Sequence, residues 1–158
     1  MKKIVAGGKE RKDSVFNALK EINEKTISYV LIHDSARPLV DEKLIERAVK
    51  NVKKYNAVVP VIKPRETLKS GKYFVGKTID RNSFFLAQTP QAFELKLIKK
   101  AHEHAIKNKL FSTDDCFLVE KIGKKVKMIP GDEKNIKITF PLDLSIAERL
   151  LKKKNEKD

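Results

Sequence analysis

Apolar and polar positions alternate along this chain in two different periods. Tyr29-Val30-Leu31-Ile32 is an unbroken apolar run. Such a run, rich in β-branched residues, predicts a buried strand. It ends at His33-Asp34-Ser35-Ala36-Arg37-Pro38, where the proline forces a turn. Ala57-Val58-Val59-Pro60-Val61-Ile62 predicts a second buried strand, and Lys3-Ile4-Val5-Ala6 predicts the end of another. Between these lie helical periods. Val15, Leu19 and Ile22 recur at i, i+4 and i+7, opening near Asp13-Ser14; Leu44, Ile45, Ala48, Val49 and Val52 form a stripe capped by Asp41.

Residues 63–83 break this rhythm. Ser70-Gly71-Lys72 separates two short alternating runs, Thr67-Leu68-Lys69 and Tyr73-Phe74-Val75, and Lys77 to Arg81 alternates again. That pattern predicts a small antiparallel hairpin projecting from the sheet. Too apolar-poor to stand alone, it calls for a second subunit as cover. Phe84 to Pro90 predicts a further strand. A helix with Leu97, Ile98, Ala101 and Ala105 on one face follows, with His102 and His104 expected in solvent. Thr113-Asp114-Asp115 caps a short helix closed by Gly123; Val126 to Pro130 and Ile136 to Ile138 read as short strands; Pro141 opens a last helix, with Leu144, Ala147, Leu150 and Leu151 on its apolar face. Residues 152–158 read as a solvated tail. Strands alternating with helices predict an α/β class with a largely parallel sheet, in one domain over 1–158.

Composition changes this picture little. A hydrophobic fraction of 41% supports a folded core, and no uncharged apolar stretch is long enough for a transmembrane helix. Cys116 is alone, which excludes an intramolecular disulfide and favours a reducing, cytoplasmic setting. The net charge of +14 is carried by 29 lysines and 6 arginines. The lysines spread through helices beside glutamates, a pattern of solvated faces. The arginines Arg11, Arg37, Arg65 and Arg81 fall in predicted turns. Scarce arginine in loops favours a small anionic ligand over a nucleic acid.

In an open α/β sheet, ligands bind at the carboxyl edge of the strands. Asp34 and Arg37 follow a strand and suit a metal and a phosphate, respectively; a strand-end salt bridge is the plain alternative. The strand-end set comprises Gly7-Gly8, Arg11, Ser14, Asp34, Arg37, Thr67, Arg81, Thr89, Thr113 and Lys137. It suits nucleotidyl or phosphoryl transfer, where hydroxyls and backbone position reactants and cations offset charge. Taken singly, Thr89 could merely shape a turn, Thr113 merely cap a helix, and Lys137 merely face solvent. No P-loop or GxGxxG is present, and no Ser-His-Asp set is arguable.

Several of these motifs recur in a fixed order. Gly7-Gly8 with Arg11 and Asp13-Ser14-Val15, then His33 to Pro38, Asp80-Arg81-Asn82, Gln88-Thr89-Pro90-Gln91, Thr113-Asp114-Asp115 and Asn135 to Thr139 together closely resemble the methylerythritol phosphate cytidylyltransferases. The resemblance implies a Rossmann-like nucleotidyltransferase sheet and a homodimer formed through the 63–83 arm. It implies a reaction joining CTP to methylerythritol phosphate with Mg²⁺ and release of pyrophosphate. Catalytic roles fall to Arg81, Lys137 and Asp34, with Asp34 also at the metal. Arg37, Thr67, Thr89 and Thr113 would bind the sugar phosphate, with Thr67 and Arg81 reaching the neighbouring subunit's substrate. Gly8 and Ser14 would meet the cytosine and ribose. Lys9-Glu10 departs from the acidic or small polar pair common after the glycines. The family's N-terminal Gly-rich triphosphate loop has no counterpart here, so the chain is expected to be N-terminally truncated relative to the family and inactive by itself. Two alternatives share the motifs: a pentitol phosphate cytidylyltransferase, and a non-catalytic dimerisation or sugar-phosphate-binding module.

Overall fold

The computed structural model describes residues 3–155. Among the described residues, five α-helices and seven strands are formed, with helices on both faces of the main sheet. The first helix, α1 (Arg11–Lys20), is closed at its start by a reciprocal capping box between Glu10 and Asp13. It therefore begins two residues before the expected Asp13-Ser14. β1 (Tyr29–Ile32) matches the apolar run. α2 (Glu42–Tyr55) starts at Asp41, whose carboxylate accepts from Leu44 N–H at 2.8 Å, and ends at Asn56 in the left-handed region. Its face of Leu44, Ala48 and Val52 is buried.

β2 (Ala57–Ile62) is the hub of the sheet. It pairs antiparallel with β5 (Leu86–Ala87) and β6 (Gln91–Glu94), and parallel with β7 (Lys127–Pro130). β6 also pairs antiparallel with β1, Tyr29 opposite Glu94 and Ile32 opposite Gln91. The α/β class stands, but the sheet is mixed rather than largely parallel. β1, β2 and β7 run one way, and β6 is inserted between β1 and β2 in the opposite sense. The expected strand over 84–90 is divided. Arg81–Ser83 form a 3-10 turn, only Leu86–Ala87 pair, and the Thr89–Pro90 bond is cis. The long pairing strand begins one residue after that proline, because Pro90 has no N–H to give a ladder.

Side chains on adjacent β2 residues face opposite layers. Ala57 and Val59 join Phe93, Leu95, Ile98 and Leu118 under α1, α3 (Leu95–Lys107) and α4 (Asp115–Lys121). Val58 joins Ala92, Ile129, Ala48 and Val52 under α2. The last helix, α5 (Pro141–Asn155), buries Ala147 and leaves Leu142, Leu144, Ile146 and Leu151 exposed. It continues into the stretch expected to be tail; residues 156–158 lie outside the described residues.

Two further expectations fail. Residues 3–6 form no strand, because no described strand lies alongside to pair with them, and Ile4 is 79% exposed. Residues 136–138 form no strand either; their link is a single bond from Ile138 N–H to Ala36 O, 2.8 Å. β3 (Leu68–Gly71) and β4 (Val75–Ile79) pair only with each other, Leu68 opposite Ile79, as a separate two-stranded sheet.

Candidate functional site

The mixed sheet decides where chemistry collects. β1, β2 and β7 end at the same edge at which β6 begins. That edge therefore receives Asp34 and Arg37 after β1, Thr89 and Gln91 at the entry to β6, and the 131–138 segment after β7. Arg11, Asp34, Arg37, Gln88, Thr89, Gln91, Thr113, Asp114 and Lys137 line one cavity there of 220 Å³.

Charges of alternating sign run through this site. Lys137 Nζ donates to Asp34 Oδ2 at 3.0 Å. Arg11 Nε donates to Asp34 Oδ1 at 3.2 Å, and Arg11 Nη1 to Asp115 Oδ2 at 2.7 Å. His102 Nε2 meets Asp115 Oδ1 at 3.0 Å. Burial alone would raise the Asp34 carboxyl, but Lys137 and Arg11 outweigh it and hold the group below the usual carboxylate range. Burial would likewise lower Arg11, yet Asp115 and Asp34 fix its charge more firmly than in water. Arg37 is lowered, burial outweighing Asp34, and it remains a cation at any physiological pH.

The turn after β1 is set by hydrogen bonds. Arg37 N–H donates to Asp34 O at 2.9 Å. Asp34 N–H donates to Thr89 Oγ1 at 3.0 Å, so the hydroxyl proton is free for His33 Nδ1, also 3.0 Å away. His33 then carries its proton on Nε2 and donates to Arg37 O at 3.0 Å. Thr89 therefore shapes the Asp34 turn as well as lining the cavity.

Lys137 reaches Asp34 without a strand because its loop is stitched down. Gln88 Oε1 accepts from Asp132 N–H at 3.1 Å, and Gln88 Nε2 donates to the Asp132 and Asn135 carbonyls at 2.8 and 3.3 Å. Asn135 Nδ2 donates to Thr89 O at 2.8 Å. A Cβ on Gly131 would stand 2.4 Å from Gln88 Oε1 and push that amide off its bonds to the loop, so glycine here keeps the stitch in place. Arg37 spans the same gap: Nη1 donates to Asn135 O at 2.7 Å and Nη2 to Ala87 O at 3.5 Å, while its buried Nε has no acceptor. Its fork thus clamps the loop and leaves the buried Nε–H uncommitted.

Thr113 precedes Asp114, which caps α4 by accepting from Phe117 N–H at 2.9 Å. Gln91 pins this corner, donating to Asp114 Oδ2 at 3.1 Å and accepting from Asp115 N–H at 3.2 Å.

Of the expected site residues, Asp34, Arg37, Thr89, Thr113 and Lys137 share the cavity. Thr67 and Arg81 do not line it. Both lie at the base of the hairpin, where Arg81 Nη1 donates to Arg65 O and Arg65 pairs with Glu133. Gly8 and Ser14 also stand apart from the cavity, at the entry to α1, where Gly8 N–H donates to Ser14 Oγ at 2.9 Å. The sequence reading left Gln88, Gln91, Asn135, His102 and Asp115 without site roles. For His102 a signal existed. It falls four residues after Ile98 and three before Ala105, on the buried stripe, and is 1% exposed rather than in solvent. The glutamines and Asn135 gave no such signal, because a polar residue beside a turn looks the same buried or solvated.

Among the described residues no group of three or more His, Cys, Asp or Glu side chains could cage a metal. Asp34 is a single carboxylate with a cation on each oxygen. It fits only an ion whose other ligands come from substrate phosphates and water, which is the habit of Mg²⁺.

The family model for 2-C-methyl-D-erythritol 4-phosphate cytidylyltransferase matches residues 1–153. The curated enzyme of that name from Clostridioides difficile is 48% identical over 150 residues, covering 94% of this chain and 63% of the relative. That from Geobacillus kaustophilus is 46% identical over 149 residues, with 94% and 64% covered. The chain thus spans a little under two thirds of the length of these relatives. Among solved structures, the Thermus thermophilus 2-C-methyl-D-erythritol 4-phosphate cytidylyltransferase superposes with a TM-score of 0.86 at 35% identity, covering 92% of this chain and 71% of that one. The Anaerococcus prevotii 4-diphosphocytidyl-2C-methyl-D-erythritol synthase gives 0.84 at 33%, covering 92% and 66%. With the family model matching residues 1–153, relatives 46–48% identical and a backbone superposing at a TM-score of 0.86, the chain belongs to the 2-C-methyl-D-erythritol 4-phosphate cytidylyltransferase family.

Proposed function

We propose that this chain carries the sugar-phosphate side of a cytidylyltransferase that joins CTP to 2-C-methyl-D-erythritol 4-phosphate. The observation that carries the reading is the Lys137–Asp34–Arg11 charge ladder beside Thr89 and Thr113 in one cavity. In the reaction, a phosphate oxygen of methylerythritol phosphate attacks the α-phosphorus of CTP. A new P–O bond forms, the bond to the β-phosphate breaks, and pyrophosphate leaves with the electron pair.

Two anions repel each other, so the protein's work is positioning and charge compensation. Lys137, half-exposed at the cavity mouth, meets the incoming phosphate. Thr89, Thr113 and Arg37 hold the sugar phosphate. Asp34 is the carboxylate that would hold Mg²⁺, and the ion would supply charge compensation on the phosphates. Gly8 and Ser14, at the entry to α1, serve the nucleoside. Thr67 and Arg81 act on the neighbouring subunit's substrate, in a homodimer made through the arm. That assignment explains why they lie outside their own chain's cavity. The lone Cys116 supports a reducing, cytoplasmic setting.

Isothermal calorimetry with methylerythritol phosphate tests this. Saturable binding at one site per chain is expected, weakened roughly 10- to 100-fold by Lys137→Ala, the loss of a charge-assisted bond. No binding, or binding indifferent to Lys137, contradicts it.

A further inference from the structure

Asp115 is fully buried, and a carboxylate there must have its charge met. Its two oxygens are divided between two donors: Oδ2 takes Arg11 Nη1 and Oδ1 takes His102 Nε2. The His102 ring also stacks on Phe16, with centroids 5.7 Å apart and planes 7° from parallel. Phe16 and Arg11 belong to the same helix. His102 therefore touches both the helix that carries Arg11 and the carboxylate that anchors it.

Resting on the function proposed above, we propose that His102 is a positioning residue for the site. By occupying Oδ1 of Asp115 it reserves Oδ2 for Arg11 Nη1, and this leaves Arg11 Nε aimed at Asp34. Without the histidine donor, both Asp115 oxygens are open to the guanidinium fork. Carboxylate and guanidinium then favour the bidentate arrangement. That rotation draws Nε off Asp34 and leaves Lys137 as its sole neutralising partner. Lys137 is then held more tightly by Asp34 and gives less to an incoming phosphate. The chain of cause runs about three side chains deep, from the α3 core to the cavity wall.

The test is the hydrogen exchange of the Arg11 Nε–H, read by ¹⁵N NMR on the whole chain. Six arginines make the spectrum simple, and Arg11→Lys assigns the signal. His102→Phe keeps an aromatic ring against Phe16 and removes the donor. Its Arg11 Nε–H is expected to exchange about tenfold faster, the loss of one hydrogen bond to a charged group. Affinity for methylerythritol phosphate is expected to fall about tenfold with it, and His102→Gln, which keeps a donor, restores both. A purely structural histidine lowers the melting temperature and leaves Arg11 exchange unchanged; that result overturns the proposal. Should His102→Phe not fold, His102→Met decides in the same way. It fills the core without a hydrogen-bond donor, so faster exchange supports the role and unchanged exchange overturns it. If the wild-type chain binds no methylerythritol phosphate, the functional reading fails, while the exchange measurement still decides the positioning role.

Discussion

At the scale of single residues, Asp34 is the group on which the site turns. It sits between two cations that together outweigh the effect of its burial, so its carboxyl titrates below the ordinary range. A carboxyl whose folded value is depressed stabilises the fold above its unfolded value, about 3.9. That contribution is lost as pH falls through the lower folded value. Asp34→Asn is therefore expected to flatten the acid limb of the melting temperature measured between pH 2 and 6. An acid limb as steep as the wild type's contradicts the assignment. Asp34 was legible in the sequence because it follows the apolar run Tyr29–Ile32, and Lys137, between Ile136 and Ile138, only through the order of the motifs. Asp115 and His102 were not. Their partners lie 104 and 13 residues away, and only the fold brings Arg11, Asp115 and His102 together. Periodicity did place His102 on the buried stripe of α3, but a histidine's polarity argued for solvent more strongly than its spacing argued for the core.

At the scale of elements, the helices were read better than the sheet. Helical stripes are long and their caps are local, so Asp41 and Asp114 announce α2 and α4 within a few residues. Strand identity depends on which neighbour supplies the ladder, and that is not a local property. Residues 3–6 and 136–138 have strand-like composition but no partner among the described residues. Gln91–Glu94 pairs on both sides yet carries two polar residues in four. The hairpin is the opposite case, since the glycine at its turn signal announces it, although Ser70 and Gly71 belong to β3 and the turn falls on residues 72–74, so Tyr73 and Phe74 sit in the loop rather than in the expected strand. Its tip exposes Tyr73, Phe74 and Val75, with Phe74 at 90%. An exposed apolar cluster on a two-stranded sheet calls for a protein cover. For the proposed homodimer through this arm, replacing Tyr73 and Phe74 by serine is expected to weaken self-association about 100-fold or more in sedimentation experiments, since each aromatic is lost twice in a symmetric pair. Because β3 and β4 pair only with each other, the melting temperature of the main sheet should change little. An unaltered sedimentation profile contradicts the arm's role.

At the scale of the whole molecule, the inserted antiparallel strand is what assembles the site. With β6 entering between β1 and β2 at the edge where β1, β2 and β7 end, the residues before β6 meet those after the other three. A sheet with a purely parallel order would send Thr89 and Gln91 to the far edge, away from Asp34. The α/β class and the family were readable from motif order, and a gathering of strand-end residues at one edge was expected from a parallel sheet; that an antiparallel strand delivers half of them was not, because strand direction leaves no mark on hydrophobic pattern. On the proposed function, the strand-edge cavity is the sugar-phosphate site. The most direct measurement is the change in backbone ¹⁵N–¹H NMR signals as methylerythritol phosphate is added to the labelled chain. The predicted footprint centres on Asp34, Arg37, Thr89, Thr113 and Lys137. A footprint confined to the lysines of α3 and α5, with those five residues unmoved, would contradict the account.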